Sequence, residues 1–224
     1  MRHALALAAL FAATATQAAD IKFLIPEREN HPAIVTFHGP LKAGDENTFH
    51  NVTLGVQHAV VFLDCPGGDL TAAIDIGWSI RQRNFPTALT DNAICSSACA
   101  IIWLAGTTRY LGVDSRIGFH SAAVRTKDGY KRSDSANRRV AAYLEHLGYP
   151  PHLIDYMTEA EPQFFTWLSP FYATKYKIYS HELSELNNVL NYAEATAPIP
   201  TALELKRRTD LIRASSGSLP PQRH

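Results

Sequence analysis

Three short stretches of this chain hold the residue types that acyl transfer requires: DCPGGDL (64–70), CSSACA (95–100) and GFH (118–120). That chemistry needs a nucleophile, a base to take its proton, and N–H donors for the developing oxyanion. The paired glycines Gly67 and Gly68 allow backbone angles closed to other residues and leave amide N–H groups open to a ligand. Ser96 and Ser97 stand where a strand gives way to a helix. A hydroxyl there lies near the positive helix end, and the next N–H groups point the same way. His120 ends the apolar strand RIGFH. Taken singly, each stretch has a plainer reading: a turn, a tightly packed helix start, and one of 10 histidines. Their conjunction is less ordinary, because sites in parallel α/β sheets collect at strand ends.

The elements that must position these residues follow from hydrophobic period and punctuation. AIVTFHG (33–39) alternates and is β-branched, so it reads as a strand. GDENTFHNVTLGV has helical spacing. AVVFLD (59–64) is a continuous apolar run, the mark of a strand buried on both faces. LTAAIDIGWSIRQR, preceded by Asp69 as a cap, reads as an amphipathic helix. TALTDNAI (87–94) is the next strand, SACAIIWLAG a buried helix ending at Gly106, and TRYLG and RIGFH short strands. Residues 121–132 are polar and read as a loop. SDSANRRVAAYLEHLGY and PPHLIDYMTEA are capped helices, SPFYATKYKIYS a short helix then a strand, and HELSELNNVLNYAEA a last amphipathic helix. This alternation predicts an α/β fold of repeated β-α-β units with a mostly parallel sheet and flanking helices.

At 224 residues the chain is expected to form one domain with a tail, placed here at 19–192 and 193–224. Its 21 Lys plus Arg balance 21 Asp plus Glu, so bulk charge offers nothing to a nucleic acid. Residues 1–18 read as a secretory signal: Arg2 and His3, the apolar ALALAALFAA, then small residues up to Ala18. Nothing later is long and apolar enough to span a bilayer, so a periplasmic or secreted location without a membrane span in the mature chain is expected. Export gives weight to Cys65, Cys95 and Cys99, which can pair in an oxidising compartment. Cys95 and Cys99 are one helical turn apart and within bridging reach if the first lies just outside the helix; the other reading is two buried thiols. No spacing supplies a zinc site, and no cofactor or metal is expected.

The order strand, PGGDL, helix, strand, CSSACA, helix, GFH resembles the Clp protease proteolytic subunit (ClpP) and its relatives in the ClpP/crotonase superfamily. The resemblance runs over about residues 33–180 and extends to IVTFHGPLKAGDENTF at the start. It implies that Ser97 is the nucleophile, Ser96 the small residue before it, and His120 the base. It also implies that the N–H groups of Gly68 and Ala98 form the oxyanion hole. The family's catalytic aspartate falls on Phe165, within EPQFFTWLSP. The acid expected to orient His120 is then Glu161, with Asp155 or a main-chain carbonyl as substitutes. A Cys95–Cys99 bridge would brace the serine, with Cys65 left unpaired. The resemblance implies a serine hydrolase, in the first place a peptidase, acting on peptides or unfolded protein and assembled as a homo-oligomer. Two other readings stay open: a ClpP-fold binding or assembly module that no longer cleaves, and a crotonase-type enzyme acting on acyl thioesters.

Overall fold

The structure is a computed structural model that describes residues 19–24 and 32–190. The expected signal segment and the tail from 193 lie outside the described residues. The chain divides after Leu183 into two units. In the second, helix α7 (Leu183–Leu190, whose first residue closes the first unit) is the described element.

The first unit is built on a six-stranded sheet. Its strands are β1 (Asp20–Leu24), β2 (Ala33–His38), β3 (Ala59–Asp64), β4 (Thr87–Leu89), β6 (Arg109–Leu111) and β11 (His181–Glu182), in that spatial order. All neighbours are parallel except β1, which runs antiparallel along β2 at the edge. The central strand β3 is buried from Ala59 to Leu63, as its unbroken apolar run requires. β2 alternates buried and half-buried positions. The edge strand β1 leaves little trace in the sequence, because it is short, Asp20 is exposed and the other four residues are half-buried.

Helix α1 (Asp45–Val52) and helix α2 (Leu70–Gln82) make the crossovers on either side of β3. α2 starts where expected: the Asp69 carboxylate accepts the Ala72 N–H at 2.9 Å, satisfying one of the open donors of the first turn. Its inner face buries Ala72, Ala73, Ile76, Gly77 and Ile80. Helix α3 (Ala98–Ala105) is buried at all eight positions, which is why its sequence is apolar all round. Gly106 terminates it. Trp103, Ile102 and Leu104 join Phe37, Phe49, Leu63, Ile76 and Leu89 in the core.

The expected single strand 87–94 is two strands in different sheets. Thr90–Asn92 turn the chain: the Ala93 N–H donates to the Thr90 carbonyl at 3.1 Å, and Asn92 has φ +60°. After this turn, β5 (Ile94–Ser96) leaves the main sheet and pairs in parallel with β7 (Arg116–Phe119). β10 (Thr166–Trp167) adds antiparallel on the other side of β7. The expected loop 121–132 is a hairpin of β8 (Ala123–Thr126) and β9 (Gly129–Arg132), closed by the two-residue loop Lys127–Asp128 and followed by Gly129 at φ +106°. Neither of its strands buries a face, so no alternation marked it in the sequence.

Helix α4 (Asp134–His146) is capped by the Ser133 hydroxyl, and α5 (Pro151–Thr158) opens with a proline in its first turn. The strand expected at the end of SPFYATKYKIYS comes later, as β11, after helix α6 (Pro170–Lys175). No described helix is long and apolar enough to cross a membrane.

Candidate active site

The three stretches singled out in the sequence meet at one place. β5 runs alongside the end of β3, with Cys65 and Cys95 as bridge partners. The next residue, Ser96, donates its N–H to the Cys65 carbonyl and its hydroxyl to the Pro66 carbonyl, both at 3.1 Å. Ser96 is therefore spent on tying the strand to the diglycine bend and is not the free hydroxyl. Ser97 is the turning point. It sits between strand and helix at φ +56°, ψ −127°, a region that side-chain-bearing residues rarely adopt. Such a conformation costs on the order of 1–3 kcal/mol and persists only where the surroundings impose it. Here they do: the Ser97 N–H is held by the Gly118 carbonyl at 2.9 Å, and its carbonyl accepts the Ala100 N–H at 3.0 Å. At this sharp strand-to-helix turn Ser97 is half-buried, whereas every residue of the helix behind it is buried.

Gly67 makes this turn feasible. Its φ is +99°, and a Cβ on it would lie 2.6 Å from the Ser97 Cβ and 3.0 Å from the Ala98 nitrogen. The bend is fixed from its far side by Leu41, whose N–H donates to the Gly67 carbonyl at 2.8 Å and whose carbonyl accepts the Asp69 N–H at 3.0 Å. Gly68, at φ +139°, packs on the Leu41 backbone, where no side chain fits. The N–H groups of Gly68 and Ala98 have no acceptor among the described residues. They stand on the two segments that meet at Ser97, one of them at the start of a helix, where open donors can receive a developing negative charge.

His120 follows β7, two residues beyond the Gly118 that holds Ser97, and so lies on the same side of the strand as Gly118. The chain after it is pinned twice. The Ser121 N–H donates to the Ala160 carbonyl at 2.8 Å. Asn137, buried on α4, accepts the Ala122 N–H at 2.9 Å and returns a donor to the Ala122 carbonyl at 3.0 Å. Asn137 escaped the sequence reading because an asparagine near a helix start looks like an ordinary capping residue.

The acid expected beside His120 is not there. Among the described residues its buried Nδ1 has no partner in hydrogen-bond geometry, and the Ser121 backbone is the polar group that acts on the ring. Glu161 is exposed, its carbonyl takes the Phe164 N–H in a turn, and its carboxylate makes no bond to the imidazole. Asp155 points outward from α5. Instead the Phe165 ring meets the imidazole edge-on, with centroids 5.0 Å apart and planes at 88°. The Glu161–Phe164 turn leaves Glu161 exposed and is followed by Phe165, whose ring packs on the imidazole. Burial pushes the His120 imidazole below its ordinary range, and the Ser121 backbone opposes this more weakly. The neutral form, which can accept a proton, is thereby favoured. A charged imidazole would find no hydrogen-bonded carboxylate among the described residues.

The disulfide also differs from expectation. Cys65 is bonded to Cys99, and Cys95 is the free, buried thiol. After the Ser97 turn, Cys99 returns over the strand ends, where Cys65 and Cys95 are lateral neighbours, so nearness in sequence did not select the partner. The three sulfurs lie within 4.8 Å of one another. Burial, and then the Asp64 charge, push the Cys95 thiol well above its usual range, which keeps it protonated. The bridge links the residue before the PGG bend to the second residue of α3. Alkylation of unreduced, denatured protein is expected to add one label, on the Cys95 peptide; two labels, or label on Cys65 or Cys99, would contradict the pairing.

No protein-family model and no curated protein matches the sequence. Solved structures do match. The 1510-N membrane-bound stomatin-specific protease in complex with a substrate peptide, a protein from Pyrococcus horikoshii, superposes with a TM-score of 0.56 at 18% identity, over 70% of this chain and 76% of that one. ClpP1 from Listeria monocytogenes superposes with a TM-score of 0.51 at 18% identity, over 66% of this chain and 89% of that one. The fold of this chain is ClpP-like.

Proposed function

We propose that this chain is an exported serine hydrolase, and in the first place a peptidase, with Ser97 as nucleophile, His120 as general base, and the N–H groups of Gly68 and Ala98 as oxyanion donors. The observation that carries the reading is the Ser97 turn: a strained serine between strand and buried helix, seated on a diglycine bend, with open N–H groups on both sides. The structures it resembles include a protease solved with a peptide. In this mechanism Ser97 Oγ attacks the scissile carbonyl while His120 takes its proton. The tetrahedral oxyanion is received by Gly68 and Ala98. His120 then protonates the leaving amine, and water repeats the sequence to release the acyl group. Assembly into a homo-oligomer and a periplasmic or secreted location belong to the same proposal.

The lone Nδ1 of His120 favours a second reading, a binding module on the same fold that no longer cleaves. Cleavage of an unfolded polypeptide separates the two. The account predicts slow cleavage by the mature chain that Ser97→Ala abolishes. Its rate should be flat through neutral pH and fall only below the ordinary histidine value of about 6.5, because a depressed pKa keeps the base neutral further into acid. Cleavage that survives in Ser97→Ala would refute the assignment. A folded wild-type chain without cleavage would leave the binding module.

A further inference from the structure

We propose that Arg116 is a carboxylate anchor on the surface beside the Ser97 turn, so that this site selects peptides bearing an acidic group close to the scissile bond. Arg116, Gly118 and His120 alternate along β7 and its extension and so share one side of the strand. Ile94 is the register partner of Arg116, and Ser96 that of Gly118, so Arg116 stands about 7 Å along the strand from the residue that holds Ser97. Its guanidinium lies over the Trp167 ring, 4.0 Å from the centroid. The ring in turn lies on Gly118, where a Cβ would come within 2.8 Å of Trp167 Cζ3. From Trp167 the surface continues to Phe165, with centroids 5.2 Å apart, and from Phe165 to His120. An unbroken wall thus runs from the catalytic imidazole to a cation.

Arg116 is exposed, and no described carboxylate pairs with it. The nearby Asp64 is already engaged by the Ile94 N–H at 3.1 Å and by His38 at 3.1 Å. Stacking on an indole fixes the guanidinium plane and leaves its N–H edge free for a bidentate pair with a carboxylate. Exposed Phe165 and Ile94 offer apolar contact to the side chains on either side of that group. The carboxylate has two sources, a Glu or Asp side chain and a free peptide C-terminus. The choice of peptide as ligand rests on the peptidase reading. Binding to the anchor does not require cleavage.

The test is fluorescence anisotropy with full-length Ser97→Ala protein, which cannot turn over its ligand, and three fluorescein-labelled hexapeptides of apolar residues. One carries a central Glu and an amidated end, one a central Gln and an amidated end, and one a central Gln and a free carboxylate. The Glu peptide or the free-carboxylate peptide should bind about tenfold more tightly than the Gln amide. Whichever does so identifies the source. The advantage should disappear in Ser97→Ala/Arg116→Gln and partly return in Ser97→Ala/Arg116→Lys. Equal binding of all three peptides, no binding of any, or a preference that survives Arg116→Gln would overturn the anchor. Cleavage and labelling at Ser97 judge the peptidase reading separately.

Discussion

Phe165→Asp is expected to accelerate acylation of Ser97 by roughly 100-fold or more. The wild-type imidazole meets the Phe165 ring edge-on, and its buried Nδ1 has no hydrogen-bond partner among the described residues. A carboxylate there would accept the Nδ1 proton, fix the tautomer that leaves Nε2 free, and stabilise the imidazolium formed on proton transfer. The sign of the pH effect follows. A neighbouring negative charge raises the histidine pKa, so the acid limb of the rate profile, which lies below the ordinary value in the wild type, should move to higher pH in the variant. Phe165→Leu, which removes the ring without adding charge, should produce neither change. Second-order rate constants for fluorophosphonate labelling across pH measure both quantities. An unaltered rate and an unmoved limb in Phe165→Asp would show that the missing acid is not what limits the site.

Removing the Cys65–Cys99 bridge should have the largest effect on stability. The bridge closes 34 residues of chain, for which loop-closure entropy gives about 4 kcal/mol, or roughly 10 °C in Tm for a domain of this size. It also joins the strand end before the diglycine bend to the helix that opens with Ala98, the two segments that carry the proposed oxyanion donors. Loosening that joint should slow Ser97 labelling by roughly tenfold or more, since one lost donor in such a site costs more than that. Cys65→Ala/Cys99→Ala is the variant to measure, because removing Cys65 alone leaves Cys95, with its sulfur 2.8 Å from that of Cys99, free to replace it. Cys95→Ala, which deletes only a buried protonated thiol, should cost about 1 kcal/mol. A double variant with wild-type Tm and labelling rate would remove the bridge from the account.

The legible parts of this protein were those whose causes are local. AVVFLD announces a strand buried on both faces, Asp69 a helix start, and the all-apolar SACAIIWLAG a helix with no solvent face, and each is found there. Ser97, Gly68, Ala98 and His120 are singled out by the family resemblance of the segments that carry them, and of those segments the structure brings the diglycine bend, the Ser97 turn and Gly118 into contact. What the sequence withheld depends on partners far along the chain. The Cys65–Cys99 bond reflects a return of the chain over two adjacent strand ends. The lone His120 Nδ1 depends on how the 161–164 turn closes, and the Arg116–Trp167 stack on the antiparallel pairing of β10 with β7. The β8–β9 hairpin buries no face, so it left no periodic trace.

The central claim is that the Ser97 turn presents an activated hydroxyl. Treating the mature chain with a fluorophosphonate and locating the adduct by peptide mass fragmentation tests it most directly. The account predicts one adduct, on Ser97 and not on Ser96, that is lost in a folded Ser97→Ala variant. No adduct on the folded wild type, or an adduct that remains in Ser97→Ala, would contradict it.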